Sequence, residues 1–347
     1  MSLIRKMAAN SVQKVRLRKL LSELKKIQDF FLEKYGVDDI YSNSKIFEIL
    51  IANELNHILI PGHSGSKDAK DEDGNEFEYK HFKETSGNHS WTFNDYSDTT
   101  IEGLKRVKSV IFAHIDDISF PPKLDWYISV DGKACSDYLK YRTEELLERK
   151  PKGHVNKRKM INFSAIQLEK DLKLSKTIVQ KINIDGLYYK WLIKINEIAN
   201  QIEKITGVTQ ILTSNKFWEL LVSLNLQHQV LSEQAGHDAV DSKGNFYEYK
   251  VSKTFSWNFQ DISENVLNKY TKEKAVILAV VDKEKMEVVK IFVANPVKVV
   301  RKLKEKLTEK ADRYTSQGGL RRLQVSLSHG DLEEIGAKEI SSQRTLV

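Results

Sequence analysis

Residues 65–80 read GSKDAKDEDGNEFEYK, and residues 235–250 read AGHDAVDSKGNFYEYK. The two stretches align without a gap at an offset of 170, which is position 250 minus position 80. Both contain two aspartates three positions apart, then a Gly-Asn pair, and then the run Glu-Tyr-Lys. A Gly-Asn pair between two runs that can alternate is typical of a turn between strands. The sequence therefore predicts a β-hairpin that occurs twice in one chain.

The similarity between the two halves extends beyond the hairpins. Residues 42–57 resemble residues 213–228 at an offset of 171, and residues 89–97 resemble residues 255–263 at an offset of 166. Further blocks keep the same order with small changes of offset, as loop insertions between retained elements produce. Chance similarity does not preserve the order of several blocks, so we interpret the chain as a tandem duplication.

Each copy predicts the same succession of elements. A helix with an apolar face is followed by a second helix, which carries Glu48 in the first copy and Glu219 in the second. The hairpin comes next, then an almost wholly apolar strand typical of a buried position, and then a fourth strand. We expect an α/β fold in which each copy has a small mixed central sheet flanked by helices. The expected domains are residues 1–172 and 188–347, joined by a linker at 173–187.

Composition restricts the class of protein and its partners. No apolar run approaches the roughly 18 residues of a membrane-spanning helix. The basic N-terminus lacks the apolar stretch of a signal peptide, so we expect a cytoplasmic protein with no membrane partner. The single cysteine, Cys135, excludes a disulfide within the chain. The net charge of +7, from 55 basic and 48 acidic residues, weakly favours a polyanionic partner.

The residues with catalytic potential lie on one face of the second hairpin strand. Side chains alternate along a strand, so Glu78 and Lys80 share one face while Phe77 and Tyr79 share the other. Carboxylates at this position suit Mg²⁺, which prefers hard oxygen ligands. A cation there would polarise a phosphoryl oxygen and lower the pKa of a water molecule, and the lysine could offset charge on the phosphate. A single Glu-x-Lys is usually a solvated face, but its retention in both copies, while neighbouring residues differ, favours a function.

The pattern DAxDxxGNxxEYK resembles the core of the PD-(D/E)xK nuclease superfamily, particularly the type II restriction endonucleases. The resemblance covers the sheet core and the preceding helix of both copies. It implies two restriction-endonuclease-like domains related by a pseudo-two-fold axis, with Mg²⁺ as the cofactor. It also implies an aspartate, a glutamate and a lysine as catalytic residues in each copy, the acidic ones binding metal: Asp68, Glu78, Lys80, Asp238, Glu248 and Lys250. The chain departs from the family pattern in having Lys67 and His237, not proline, before the aspartates.

Other residues of the repeat remain candidates. The aspartates three positions further on either compete for the metal or form the turn, and the helix glutamates are candidates for outer ligands: Asp71, Asp241, Glu48 and Glu219. Basic residues that recur in both copies are candidates for DNA contacts, although exposed lysines and a basic loop rim are ordinary alternatives: Lys83, Lys253, Lys157, Arg158, Arg321 and Arg322. Trp91 and Trp257 are expected to pack in the core.

Two matching sites in one chain suggest how such an enzyme would act. Enzymes that cut both strands of a duplex commonly pair two identical sites across a two-fold axis. We therefore predict a monomeric, pseudo-dimeric, Mg²⁺-dependent endonuclease resembling a type II restriction enzyme. It would hydrolyse phosphodiester bonds of double-stranded DNA, with each domain cutting one strand, and the resemblance implies a cognate DNA methyltransferase as partner. Two alternatives stay open: a non-catalytic DNA-binding protein on a nuclease fold, and a repair or mobile-element nuclease that recognises DNA structure.

Overall fold

The chain divides into two compact units. The Lys80 unit comprises Phe30–Asp38 and Lys45–Asn196, and the Lys250 unit comprises Met1–Asp29, Asp39–Ser44 and Glu197–Val347. The computed structural model describes residues 11–61, 67–94, 96–149, 159–231, 236–314 and 323–340. No helix in these ranges is long and apolar enough to cross a membrane.

The first half of the chain forms a mixed sheet in the Lys80 unit. The elements of this half of the chain, in order, are α1 (Ser11–Tyr35), of which the part up to Asp29 belongs to the Lys250 unit, α2 (Lys45–Leu55), β1 (Ile58–Leu59), β2 (Ala69–Lys70), β3 (Glu76–Lys83), β4 (Trp91–Asn94), α3 (Asp98–Leu104), β5 (Ser109–Asp116), β6 (Lys123–Asp131), α4 (Gly132–Glu148), β7 (Met160–Phe163), α5 (Ala165–Asp171) and β8 (Thr177–Ile178). The sheet has the strand order β1-β2-β3-β5-β6-β8. β3 pairs with β5 in parallel, and the other neighbours are antiparallel. β5 is buried except at its ends, as its apolar sequence predicts.

The second half forms a sheet of the same topology in the Lys250 unit. The elements of this half of the chain, in order, are α6 (Tyr189–Thr206), of which the part up to Asn196 belongs to the Lys80 unit, α7 (Lys216–Leu226), β9 (Gln229–Val230), β10 (Ala239–Val240), β11 (Phe246–Ser252), β12 (Ser256–Phe259), α8 (Glu264–Tyr270), β13 (Ala275–Asp282), β14 (Glu287–Ala294), α9 (Pro296–Tyr314), β15 (Val325–Ser328), α10 (His329–Glu334) and β16 (Lys338–Ile340). The strand order is β9-β10-β11-β13-β14-β16. Here β11 and β13 form the parallel pair, and the other neighbours are antiparallel. The mixed α/β character expected from the sequence is therefore confirmed.

A two-stranded ribbon accompanies each large sheet and carries a central core residue. β4 pairs with β7, and β12 pairs with β15, both antiparallel. Trp91 and Trp257, on β4 and β12, are fully buried. Their indole N–H groups donate to the carbonyls of Ala113 (2.8 Å) and Ala279 (2.9 Å) on the central strands. The expected packing of both tryptophans in the core is confirmed.

The segment expected to be a linker takes part in the Lys80 unit. Its strand β8 pairs with β6, so that Ile178 lies opposite Trp126. The side-chain amide of Asn183, also in this segment, donates to the carbonyl of Asn53 on α2 at 2.8 Å. Residues 173–187 therefore extend the first sheet and pack on its helix, in addition to connecting the two halves.

A short segment of the first half belongs to the Lys250 unit. Asp39 is buried there and accepts a hydrogen bond from the indole N–H of Trp218 at 2.9 Å. The ammonium group of Lys283 also contacts the carboxylate of Asp39. The backbone N–H of Asn43 donates to the carbonyl of Ser214 at 2.7 Å. The core of the Lys250 unit is thus completed by residues from the beginning of the chain. Domain limits at 172 and 188 remain a prediction from the sequence.

Candidate active site

Asp68 lies immediately before β2, and the backbone of the hairpin fixes its position. Its N–H donates to the carbonyl of Phe77 at 2.8 Å. The N–H of Tyr79 donates to its carboxylate oxygen Oδ2 at 2.7 Å. Asp238 is held in the same way, since its Oδ2 accepts from the N–H of Tyr249 at 2.7 Å. In both units, therefore, the hairpin orients one aspartate carboxylate towards its second strand.

Glu78 and Lys80 lie on one face of β3, as the two-residue period of a strand predicts. The ammonium group of Lys80 donates to the carboxylate of Glu78, which is only 8% exposed. The same ammonium group lies 5.3 Å from the centre of the Phe93 ring. On β11, Lys250 donates to Glu248 in the same arrangement. Each lysine is thus held against a largely buried carboxylate, where a charge-assisted hydrogen bond offsets part of the cost of burial.

Helix α2 brings a third carboxylate to the hairpin of the Lys80 unit. Burial, together with the negative charge of Asp68, raises the pKa of Glu48 to about 7, against the opposing effect of Lys45. Burial raises the pKa of Glu78 to about 7 as well, although Lys80 acts in the opposite direction. Asp68 also contributes to the rise at Glu78. Asp68 is therefore close enough to both glutamates to disfavour their ionisation.

The Lys250 unit contains the corresponding cluster. Burial, together with the negative charge of Asp238, raises the pKa of Glu219 on α7 to about 7, against the opposing effect of Lys216. Burial raises the pKa of Glu248 above its ordinary value despite the neighbouring Lys250. The same groups thus perturb one another in the same directions in both units. We refer to the Glu48–Asp68–Glu78–Lys80 group and its counterpart as the two acidic–lysine clusters.

The second aspartate of each hairpin has a different role. Asp71 accepts hydrogen bonds from the backbone N–H of Asn75 (2.8 Å) and from its side-chain amide (2.8 Å). The side-chain bond is the main reason why the pKa of Asp71 falls to about 2. Asp241 accepts the same pair of bonds from Asn245, at 2.9 and 2.7 Å. Both residues therefore close the turn, which favours Asp68 and Asp238 as the metal aspartates.

The donor set of each cluster suits a hard divalent cation. Carboxylate oxygens are the ligands that Mg²⁺ prefers, and each cluster contains three carboxylate side chains. Among the described residues, no three His, Cys, Asp or Glu side chains are already arranged to hold a metal ion. The ammonium groups of Lys45 and Lys80 instead contact Glu48 and Glu78. The side chains of the cluster fit Mg²⁺ in their chemistry, and the assignment of Asp68, Glu78 and Glu48 as its ligands stays a prediction.

The comparison with known families agrees with this geometry. Residues 12–167 match the family model of restriction endonuclease PvuII. The matched stretch contains the whole cluster of the Lys80 unit, from Glu48 to Lys80, and it confirms the resemblance of the first copy to restriction endonucleases. A search of curated proteins gives no match to the chain.

The residues proposed for DNA contacts lie outside the clusters where they are described. Lys83, at the end of β3 in the PvuII-matching stretch, has its ammonium group 3.7 Å from the carboxylate of Asp117. Lys253 follows β11 and is exposed. The other four candidates lie outside the described residues: Lys157, Arg158, Arg321 and Arg322. A role of these six residues in DNA binding stays a prediction.

One pair of residues at the clusters was missed in the sequence. Lys45 and Lys216 are 3% and 4% exposed and contact Glu48 and Glu219. The available signal was their identity at the same offset of 171 that relates the two glutamates. A lysine at the start of a helix is normally solvated, so the sequence alone gave no reason to expect that Lys45 and Lys216 are buried.

Proposed function

We propose that this protein is a Mg²⁺-dependent endonuclease that hydrolyses phosphodiester bonds of double-stranded DNA in the manner of a type II restriction enzyme. The observation that carries the proposal is the acidic–lysine cluster, which recurs in both units with the same contacts. The match of residues 12–167 to the restriction endonuclease PvuII family supports it independently for the first cluster.

The residues of the cluster in the Lys80 unit would have different roles in the hydrolysis. Asp68 and Glu78 would hold Mg²⁺, with Glu48 as a further acidic group on the helix side. When bound, this ion supplies charge that polarises the phosphoryl group and lowers the pKa of water. Lys80, whose ammonium group already lies beside Glu78, orients the attacking water or offsets negative charge that builds on the phosphate.

The overall reaction is a simple hydrolysis. The water oxygen forms a bond to phosphorus, one phosphorus–oxygen ester bond breaks, and the departing oxygen takes up a proton. The products are a phosphomonoester and an alcohol, and the second proton of the attack passes to the solvent. No atom changes its oxidation state, so the hydrolysis needs no redox partner.

Two clusters in one chain suggest that a single polypeptide cuts both strands. The strands of a duplex are related by two-fold symmetry, which paired sites in restriction enzymes match. We propose that the chain arose by tandem duplication and acts as a monomeric pseudo-dimer, with one site for each strand. A cognate DNA methyltransferase would then protect host DNA, as the resemblance implies.

The first experiment compares cleavage and binding of duplex DNA with Mg²⁺ and with EDTA. We expect discrete fragments from linear duplex only when Mg²⁺ is present. Equal DNA binding in EDTA without cleavage under any condition would instead identify a non-catalytic binding protein. Cleavage confined to branched, nicked or mismatched DNA would identify a repair or mobile-element nuclease, because such an enzyme recognises structure and not sequence.

A further inference from the structure

Two lysines occupy positions that ordinarily exclude an ammonium group. Lys45 is the first residue of α2, and Lys216 is the first residue of α7. The first turn of a helix carries a partial positive charge, so a cation there is unfavourable. Both lysines are also buried, at 3% and 4% exposure, and burial adds a desolvation cost. Both unfavourable effects act at matching positions of the two halves, so we expect each lysine to have contacts that offset the cost of its burial.

The compensating contacts are with the acidic–lysine clusters. Lys45 donates to the carboxylate of Glu48, one helical turn away. Lys216 donates to Glu219 at 2.7 Å. The charge of Lys45 also acts on Glu78, on the hairpin strand. Lys45 therefore lies within electrostatic reach of both the helix and the hairpin carboxylates.

We propose that Lys45 and Lys216 are resident counter-ions of the two clusters, which hold the helix glutamates in place before a divalent cation binds. This inference rests on the proposed Mg²⁺-dependent function. With all groups ionised, three carboxylates face two ammonium groups in the Lys80 unit, so the metal-free cluster has a charge of about −1 and the loaded cluster about +1. The two lysines are positioning residues, because they act through Glu48 and Glu219.

Removal of Lys45 should have opposite effects on the stability of the metal-free fold and on the affinity for a divalent cation. Without Lys45 the metal-free cluster carries an additional uncompensated negative charge, which destabilises the fold. A divalent cation, however, then meets less positive charge and binds more tightly. At the effective dielectric of protein sites, one unit charge near a divalent ion changes affinity by about tenfold or more. A lysine that only fills space would produce neither the tighter binding nor the larger stabilisation by metal.

The experiment uses Mg²⁺ alone, without DNA, on the full chain and its Lys45→Met, Lys216→Met and doubly substituted variants. Calorimetry measures Mg²⁺ affinity, and thermal denaturation measures Tm in EDTA and in Mg²⁺. Lys133→Met is the matched control, because Lys133 lies in the first turn of α4 and pairs with Asp137 at 2.7 Å while remaining exposed. We expect a lower Tm in EDTA, a larger rise with Mg²⁺, and about tenfold tighter Mg²⁺ binding in the cluster variants only.

The Mg²⁺ affinities and Tm values distinguish failure of the counter-ion role from failure of the proposed function. If the cluster variants bind Mg²⁺ as wild type does, and their Tm rises by the same amount, the counter-ion role is wrong while the metal-dependent function stands. If wild type itself binds no Mg²⁺, the proposed function fails together with the inference. A variant that is unfolded in EDTA but folds when Mg²⁺ is added supports the role. A variant that stays unfolded in both conditions overturns it in favour of a purely structural lysine.

Discussion

Replacing the helix glutamates should make the stability of the metal-free protein less sensitive to rising pH, so that the variant gains stability relative to wild type as the pH increases. Glu48 and Glu219 have a pKa of about 7 in the fold, against an ordinary value of 4.5. A carboxyl whose pKa is raised by folding makes its full contribution to stability when the pH is below its unfolded pKa of 4.5. This contribution is lost as the pH rises through the folded pKa of about 7. Glutamine at these positions does not ionise, so Glu48→Gln/Glu219→Gln is expected to escape that loss.

The magnitude follows from the fraction of each carboxyl that is protonated. For a pKa of about 7, this fraction falls from roughly three quarters at about pH 6.5 to roughly one tenth at about pH 8. The integrated loss is about 0.8 kcal/mol for each carboxyl, or about 1.6 kcal/mol for the two. The stability contribution of His57 and His81 changes with pH in the opposite direction, since burial lowers the pKa of each to about 4. They are present in both proteins, so their contribution cancels in the difference.

Urea denaturation in EDTA at the two pH values measures this difference. The stability of the variant relative to wild type should rise by about 1.6 kcal/mol between them. Glu144→Gln, an exposed glutamate of α4, is the control and should show no such change. A difference between variant and wild type that is independent of pH would refute the assignment of Glu48 and Glu219 to the buried clusters.

Two further predictions concern single aspartates. Asp71→Ala should weaken the turn, because the amide groups of Asn75 lose their acceptor, and should leave stabilisation by Mg²⁺ intact, whereas Asp68→Ala should abolish that stabilisation in the Lys80 unit. Thermal denaturation with and without Mg²⁺ checks both, and loss of the metal effect in Asp71→Ala alone would reverse the assignment. Asp39→Ala leaves Lys283 without its carboxylate inside the Lys250 unit and should cost about 3–5 kcal/mol, part of which Asp39→Ala/Lys283→Met should restore. Urea denaturation tests this, and a double variant no more stable than the single one would contradict the pairing.

The elements that form the site were predictable because their signals are local. The Gly-Asn turn and the alternation after it define the hairpin and place Glu78 and Lys80 on one face. The apolar run 110–116 predicts the buried strand beside it, because only a strand covered on both faces tolerates such composition. The comparison of the two halves then separated these residues from ordinary surface charges.

Other features depend on contacts between distant parts of the chain. β8 has only two residues, too few for a periodic pattern, so its pairing with β6 could not be read from the sequence. Asp39 reads as a loop residue, yet it is buried against Trp218 in the Lys250 unit. The burial of Lys45 could not be predicted from the sequence either, because it depends on the carboxylates that the hairpin brings to α2. Asp68 and Asp71 were separated only by the hydrogen bonds of the turn.

Cleavage of supercoiled plasmid by single-site variants tests most directly whether each cluster cuts one strand. Wild type is expected to produce linear DNA in Mg²⁺ and no product in EDTA. Lys80→Ala and Lys250→Ala should each stop at nicked circles, because one cluster remains intact, and the double variant should be inactive. Linear DNA from either single variant, or no nicking by both, would contradict the assignment of one strand to each cluster.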